Sequence, residues 1–172
     1  MLPGNTLGGP VNADGGHKLR QPGHVNIPAD TREFIMRLSN PNAEGMPQET
    51  RVQNEVAILA LATDALRHVN PPVVPRVFGW GSAGRNHVGC ILQELMPGIP
   101  IGEAFSGAMS LDQKKGTLAQ MAGLLKALQD YSLPRSIYGF GGAMFDDSGA
   151  IVSGPITSVG TGSYPYPQKR RQ

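Results

Sequence analysis

The sequence predicts an α+β domain in which an antiparallel sheet is combined with separate helices. Short apolar runs that suit strands are joined by local turn signals, and two longer segments carry apolar residues at helical intervals. The resulting order is strand, helix, strand, strand, helix, hairpin. Because strands pair with near neighbours in this order, a doubly wound parallel sheet is not expected. A length of 172 residues and an apolar content of 40% are enough to bury one core.

Composition and charge limit which partners, metal sites and cellular locations are expected for this chain. The formal net charge is only +2, and the bases at 169–171 account for most of it, so no nucleic-acid partner is expected. The single cysteine, Cys90, excludes a disulfide framework and a cysteine-based zinc site within the chain. The four histidines lack the spacing of metal ligands. With no apolar run that resembles a signal peptide or a spanning helix, we expect a cytoplasmic protein without a membrane partner.

The first half of the chain is predicted to hold a strand followed by a helix. Residues 33–38 (EFIMRL) suit a strand, and Thr50 and Gln53 have the spacing of a capping box at the start of a helix. Pro71 and Pro72 end that helix because proline cannot continue the hydrogen-bond ladder. Its predicted buried face consists of Val52, Val56, Leu59, Thr63 and Leu66.

The second half is predicted to hold a strand pair, a helix and a hairpin. Residues 73–80 and 88–95 form an antiparallel pair around a turn at 84–87. A helix over 111–131 begins with capping-box spacing, and a hairpin over 143–153 follows it. The helix is expected to pack below the segment that follows the second strand of the pair. Its predicted buried stripe is Leu118, Met121, Ala122, Leu125 and Leu128.

Five segments, in their order along the chain, carry a family resemblance. They are FIMRL at 34–38, RVQNE at 51–55, VPRVFGW at 74–80, ILQELMPG at 91–98, and the hairpin at 145–155. The first four resemble the small lobe of aminoglycoside phosphotransferases, which share the protein-kinase-like fold, and the hairpin resembles one in fungal-type members. The resemblance implies a kinase-like N-lobe, made of an antiparallel sheet and one helix, followed by the first helices and hairpin of a truncated C-lobe.

The resemblance also implies a nucleotide site. By this resemblance Arg37 would be the basic residue that reaches the phosphates of ATP, and Glu55 on the next helix would hold it. Glu94, Leu95 and Met96 would be the hinge residues that close over adenine. A guanidinium suits phosphate because its N–H groups bind oxygens in a fork. The alternative, that Arg37 and Glu55 are ordinary surface charges, remains open.

Phosphoryl transfer further requires a base for the acceptor hydroxyl and carboxylates for magnesium. The resemblance implies that a His-Gly-Asp-type loop supplies the base, but no histidine here is followed two residues later by aspartate. Asp146 and Asp147 are candidates for magnesium ligands, although the following Ser-Gly favours a hairpin turn. We therefore assign no catalytic and no metal-binding residue, and expect weak ATP binding, poor magnesium binding and no turnover.

The domain organisation follows from these expectations. Residues 1–30 are a poorly ordered leader, 31–98 an N-lobe-like region with its hinge, 99–156 the start of a C-lobe, and 157–172 a flexible tail. The chain is thus interpreted as the amino-terminal part of a phosphotransferase of this family. The alternative function is a noncatalytic binding module of kinase-like ancestry, with a protein partner that covers the exposed C-lobe surface.

Overall fold

The structure is a computed structural model that describes residues 21–40, 48–139 and 141–155. Within these ranges the chain is an α+β fold with a three-stranded antiparallel sheet, a separate β-hairpin and three helices. The predicted tail at 157–172 and residues 1–20 of the predicted leader lie outside the described residues. The elements are β1 (Phe34–Leu38), α1 (Gln48–Ala65), β2 (Val77–Gly81), β3 (Cys90–Glu94), α2 (Ile101–Glu103) with the π-helical turn Ala104–Ala108, α3 (Leu111–Asp130), β4 (Gly142–Phe145) and β5 (Ile151–Gly154).

The larger sheet has the order β1-β3-β2, with β3 in the centre and antiparallel to both neighbours. Arg37 lies opposite Ile91, and Phe34 lies opposite Glu94. Since side chains alternate between the two faces of a strand, Ile91 and Gln93 share one face, and both are buried. The predicted pairing of 73–80 with 88–95 is confirmed, with both strands shorter than expected.

The core forms where α1 covers the buried face of the sheet. Val56 is fully buried at 0% exposure, and Val52 and Leu61 lie in the same cluster with Ile91. The predicted buried face is therefore confirmed at Val52, Val56 and Leu66, and Leu59 is partly buried against the core. Thr63 is exposed instead, and its hydroxyl donates to the carbonyl of Leu59 on its own helix (2.8 Å).

The start of α1 differs from the prediction. The helix begins at Gln48, so Thr50 lies inside its first turn and is not the capping residue. The Thr-x-x-Gln spacing that defines a capping box also occurs within helices, and spacing alone does not distinguish the two positions.

The β4–β5 hairpin packs against α1 and contributes to the same core. The side-chain oxygen of Asn54 on α1 accepts the backbone N–H of Ala143 (2.7 Å). Phe145 stacks on Trp80 with ring centroids 6.1 Å apart. The hairpin itself was predicted, and its strands pair as expected, with Phe145 opposite Ile151.

Residues 21–25, within the segment 1–30 predicted as the leader, lie along β2. The N–H of Val25 donates to the carbonyl of Val77 (2.8 Å), and the indole N–H of Trp80 donates to the carbonyl of Pro22 (2.9 Å). Gly23 has a φ of +74°, and a Cβ there would lie 2.6 Å from the ring of Phe145. Glycine is therefore required at this close approach.

Helix α3 has the predicted bounds, but its apolar stripe is not buried. Ser110 and Gln113 form the predicted capping box, with the serine oxygen accepting the N–H of Gln113 (3.3 Å) and the glutamine oxygen accepting the N–H of Ser110 (2.8 Å). No residue of α3 is buried. The exposed stripe comprises Leu118, Met121, Ala122, Leu125 and Leu128.

The expected packing of α3 below the hinge is therefore wrong. Its contact with α1 lies at its carboxyl end, where Tyr131 donates its hydroxyl to Asp64 (2.7 Å) and an open cleft is lined by Gly123, Ala127 and Ala65. The residues of α3 that line this cleft are thus small or charged, and none of them belongs to the predicted stripe. Periodicity identifies an apolar stripe but does not identify what covers it. None of the helices in the described ranges is long and apolar enough to cross a membrane.

Candidate functional site

The structure brings Arg37 and Glu55 together. Arg37 is the fourth residue of β1, and its guanidinium Nη1 donates to Glu55 Oε1 on α1. The two side chains are 46% and 31% exposed, so the ion pair lies at an accessible margin between sheet and helix. Glu55 is therefore the partner of Arg37, as the sequence predicted, while a role for the pair in binding phosphates remains a prediction.

Glu94 is also in an ion pair, but with a residue that the sequence analysis did not assign. Arg76, just before β2, donates from Nη2 to Glu94 Oε1 (2.7 Å) and from Nε to Oε2 (3.0 Å). This two-pronged contact holds the pKa of Glu94 below its usual value, chiefly through the side-chain hydrogen bond, and raises the pKa of Arg76. The carboxylate of Glu94 therefore connects β3 to the start of β2, and both of its oxygens accept hydrogen bonds from Arg76.

Leu95 and Met96 follow directly after β3, where the hinge was predicted. Leu95 is 48% exposed, and Met96 is partly buried. The segment then turns at Gly98, whose φ of +133° suits glycine. Since Arg37 lies opposite Ile91, three residues before Glu94, the predicted phosphate and adenine ends are separated by roughly 10 Å along β3.

The cavity beside the ion pair is small. Its volume is about 30 Å³, against the roughly 300–1,000 Å³ of typical small-molecule pockets. Such a space accepts about two water-sized atoms, so oxygen atoms of a phosphate fit there and an adenine ring does not. The cavity is lined by Arg37, Leu38, Ser39, Arg51, Val52, Glu55 and Ile91.

Two larger cavities lie elsewhere and contain none of the predicted site residues. The open cleft between α1 and the end of α3 measures about 410 Å³ and includes His68, Lys126 and Asp130. A second cavity of about 260 Å³ lies between α1, the segment 23–25 and residues 75–77. Neither was foreseen, because both form between elements that are distant in sequence.

Two further polar residues near the buried face of the sheet were missed as site candidates. Arg51 lies one turn before Glu55 on α1, and in the part of the chain that the structure describes its Nη1 atom is shielded from solvent without a hydrogen-bond partner. Gln93 on β3 is 9% exposed, and its Oε1 atom likewise has no partner. Arg51 could have been found from the sequence, because its i, i+4 spacing from Glu55 places both residues on one face of the helix. Nothing in the local sequence marks Gln93.

Asp146 serves the hairpin turn. Its Oδ1 atom accepts the N–H groups of Ser148 and Ala150 (both 2.9 Å) and the hydroxyl of Ser148 (2.6 Å). These bonds, above all the one from the Ser148 hydroxyl, lower the pKa of Asp146. The turn interpretation is confirmed. Across the residues that the structure describes, no group of three or more His, Cys, Asp or Glu side chains is placed to hold a metal ion.

Comparisons with known proteins identify no relative. No family model matches the chain, and no curated protein or solved structure matches it either. What stands is a mixed α+β fold with a small antiparallel sheet, an Arg37–Glu55 ion pair between sheet and helix, and a cavity of oxygen-atom size beside that pair.

Proposed function

We propose that this chain is a phosphotransferase-like protein of the aminoglycoside phosphotransferase type that binds ATP weakly and does not transfer its phosphate. The observation that carries the proposal is the Arg37–Glu55 ion pair. It joins a basic residue on a strand to a glutamate on the following helix. In protein kinases a pair of this kind, with lysine as the base, must be in place for catalysis.

The proposed nucleotide lies along β3. Its phosphates contact Arg37, and its adenine contacts the backbone of Leu95 and Met96 at the other end of the strand. Glu94 contributes by fixing that end through Arg76, and its carboxylate does not contact the ligand. The proposal includes a cytoplasmic location. A free thiol such as that of Cys90 is usual in this reducing compartment.

Affinity is expected to be low, because few groups hold the ligand. A charge-assisted hydrogen bond contributes about 1.5–3 kcal/mol net, and association must first offset lost translational and rotational freedom. We expect a dissociation constant of roughly 1 mM, or about −4 kcal/mol. It should depend little on magnesium, since no metal-binding carboxylate is assigned.

Absence of turnover is the first test. With ATP, magnesium and a panel of aminoglycosides, choline and sugars, we expect ADP release to stay at the level of a blank. The sequence offers no residue in the role of the base that accepts the acceptor hydroxyl's proton. Reproducible ADP release that is lost in Arg37→Met and kept in Arg67→Met would contradict this. Arg67 is the matched control because it forms an exposed ion pair away from the site, with Asp64.

A second candidate function is that of an interaction module, and the exposed stripe of α3 favours it. Leu111, Leu118 and Leu125 repeat every seven residues, and Met121 and Leu128 follow at the intervening position. We call these five residues the α3 seam; their exposed fractions run from 43% to 67%. A sustained pattern of this kind is typical of a helix that pairs with another helix.

A second copy of the chain is the occupant that the charges of α3 favour. Parallel pairing would place Lys114 against its own copy, whereas antiparallel pairing places Lys114 beside Leu125 of the other copy and so keeps the two lysines apart. Light scattering should then show a concentration-dependent dimer that Leu118→Asp abolishes.

Gln120→Asp is the matched control for the dimer, because it places the same charge on α3 at an exposed position outside the seam. The dimer should persist in this variant. A monomer at every concentration, or equal loss of the dimer in Leu118→Asp and Gln120→Asp, would contradict self-pairing through the seam.

A further inference from the structure

Arg51 is an unusual residue in this fold. Its Nη1 atom is shielded from solvent and has no hydrogen-bond partner among the described residues, although guanidinium groups remain charged at any physiological pH. A buried polar atom without a partner costs free energy, and a charged one costs more. Such an atom calls for a specific explanation. Glu55, one turn further along α1, is the natural partner by spacing, but its carboxylate is bound by Arg37.

The cavity beside Arg51 has an excess of positive charge. Two arginines and one glutamate are among its lining residues, and Arg51 lies in the first turns of α1, where the helix dipole also favours an anion. Ser39 is at the edge, but its hydroxyl and its N–H both donate to the carbonyl of Gly89 (3.2 and 2.8 Å). The donors left for a ligand are therefore those of Arg37 and Arg51.

We propose that Arg51 and Arg37 together form an oxyanion site that takes the end of a polyphosphate directly, without a divalent metal. The cavity of about 30 Å³ has room for about two oxygen atoms, so part of a terminal phosphate group enters it and the remainder of that group stays outside. Arg37 is 46% exposed, so the rest of the ligand lies outside, over β1. Arg51 is a second phosphate-binding residue, in addition to the Arg37 of the nucleotide site, and this inference rests on the proposed function only through Arg37.

Titration with tripolyphosphate in chloride buffer tests the site, because this probe has the phosphates and no adenine. We expect saturable binding by calorimetry with shifts of the Arg51 and Arg37 side-chain NMR signals, and no change on adding magnesium chelator. Arg51→Met should weaken binding about tenfold. Arg67→Met is the control and should leave binding unchanged. Arg51→Lys keeps the charge but loses the fork, and should fall between wild type and Arg51→Met.

A parallel titration with adenosine separates this inference from the proposed function. Tripolyphosphate binding that requires Arg51, with no adenosine shifts at Leu95 or Met96, supports the oxyanion site and contradicts the nucleotide site. Adenosine shifts at the hinge, with tripolyphosphate binding absent or equal in wild type and a folded Arg51→Met variant, overturn the oxyanion site and leave the nucleotide proposal standing. Equal loss in Arg51→Met and Arg67→Met would show general charge attraction and would also overturn it.

Discussion

Two ion pairs lie at opposite ends of the three-stranded sheet. Arg37–Glu55 connects β1 to α1 beside Ile91, and Arg76–Glu94 connects the start of β2 to the end of β3. The first was expected from the family resemblance of these segments. The second was not, because the contact of Arg76 with Glu94 depends on how β2 and β3 align, and alignment is not visible in either strand alone.

Glu94 should make the stability of the chain depend on pH. Its pKa is lowered from an ordinary value of 4.5, so the ion pair stabilises the fold fully above that value. The contribution is lost as pH falls below 4.5 and through the lowered pKa. We expect Glu94→Gln to melt below wild type at neutral pH, with the gap closing as pH falls through this range.

The matched control for that measurement is Glu103→Gln, which changes an exposed carboxylate on α2. Its melting temperature should follow wild type at each pH. A gap between wild type and Glu94→Gln that stays constant from neutral to acid pH would mean that the carboxylate of Glu94 does not act through its charge.

At the scale of elements, the features that sequence predicts well are those set locally. The capping box of α3 and the Asp146 turn depend on residues within a few positions, and both are present. The pairing of β1 with β3 joins Phe34 to Glu94 across sixty positions and was not specified beforehand. The burial of α3 was predicted wrongly for the same reason, since a stripe of leucines gives no information about the element that lies against it.

Substitutions at Leu125 and at Val56 compare the effect on stability of an exposed and a buried apolar side chain. Leu125 on α3 is 56% exposed, so Leu125→Asp should change the free energy of unfolding by less than about 0.5 kcal/mol in the monomer. Chemical denaturation in dilute solution measures this change. A loss of several kcal/mol would show that the α3 seam is packed within the monomer.

Val56 on α1 is fully buried and belongs to the central cluster. Val56→Ala removes two methyl groups from a filled space, and should lower the free energy of unfolding by about 2 kcal/mol from lost burial and the cavity left behind. Ile58→Val is the control, since Ile58 is 48% exposed on the same helix. Equal effects of the two substitutions would contradict the assignment of the core to this face of α1.

For the whole molecule, the structure establishes an α+β fold whose sheet, helix α1 and hairpin share one core. The sequence alone predicted this class, because its strands and helices are separated by strong turn signals. The candidate site was predicted in part: the Arg37–Glu55 pair came from a resemblance, whereas Arg51 was missed as a ligand-binding candidate. The shielding of its Nη1 atom depends on how α1 lies against β1 and β3, which only the assembled fold determines.

Titration of the isotope-labelled chain with ATP tests the central claim most directly. NMR shifts should map to Arg37, Glu55, Leu95 and Met96, saturate with a dissociation constant of roughly 1 mM, and be the same with and without magnesium. Arg37→Met should abolish them, while Arg67→Met should not. The absence of any shift at these residues at high ATP, or micromolar binding that requires magnesium, would contradict the proposed function.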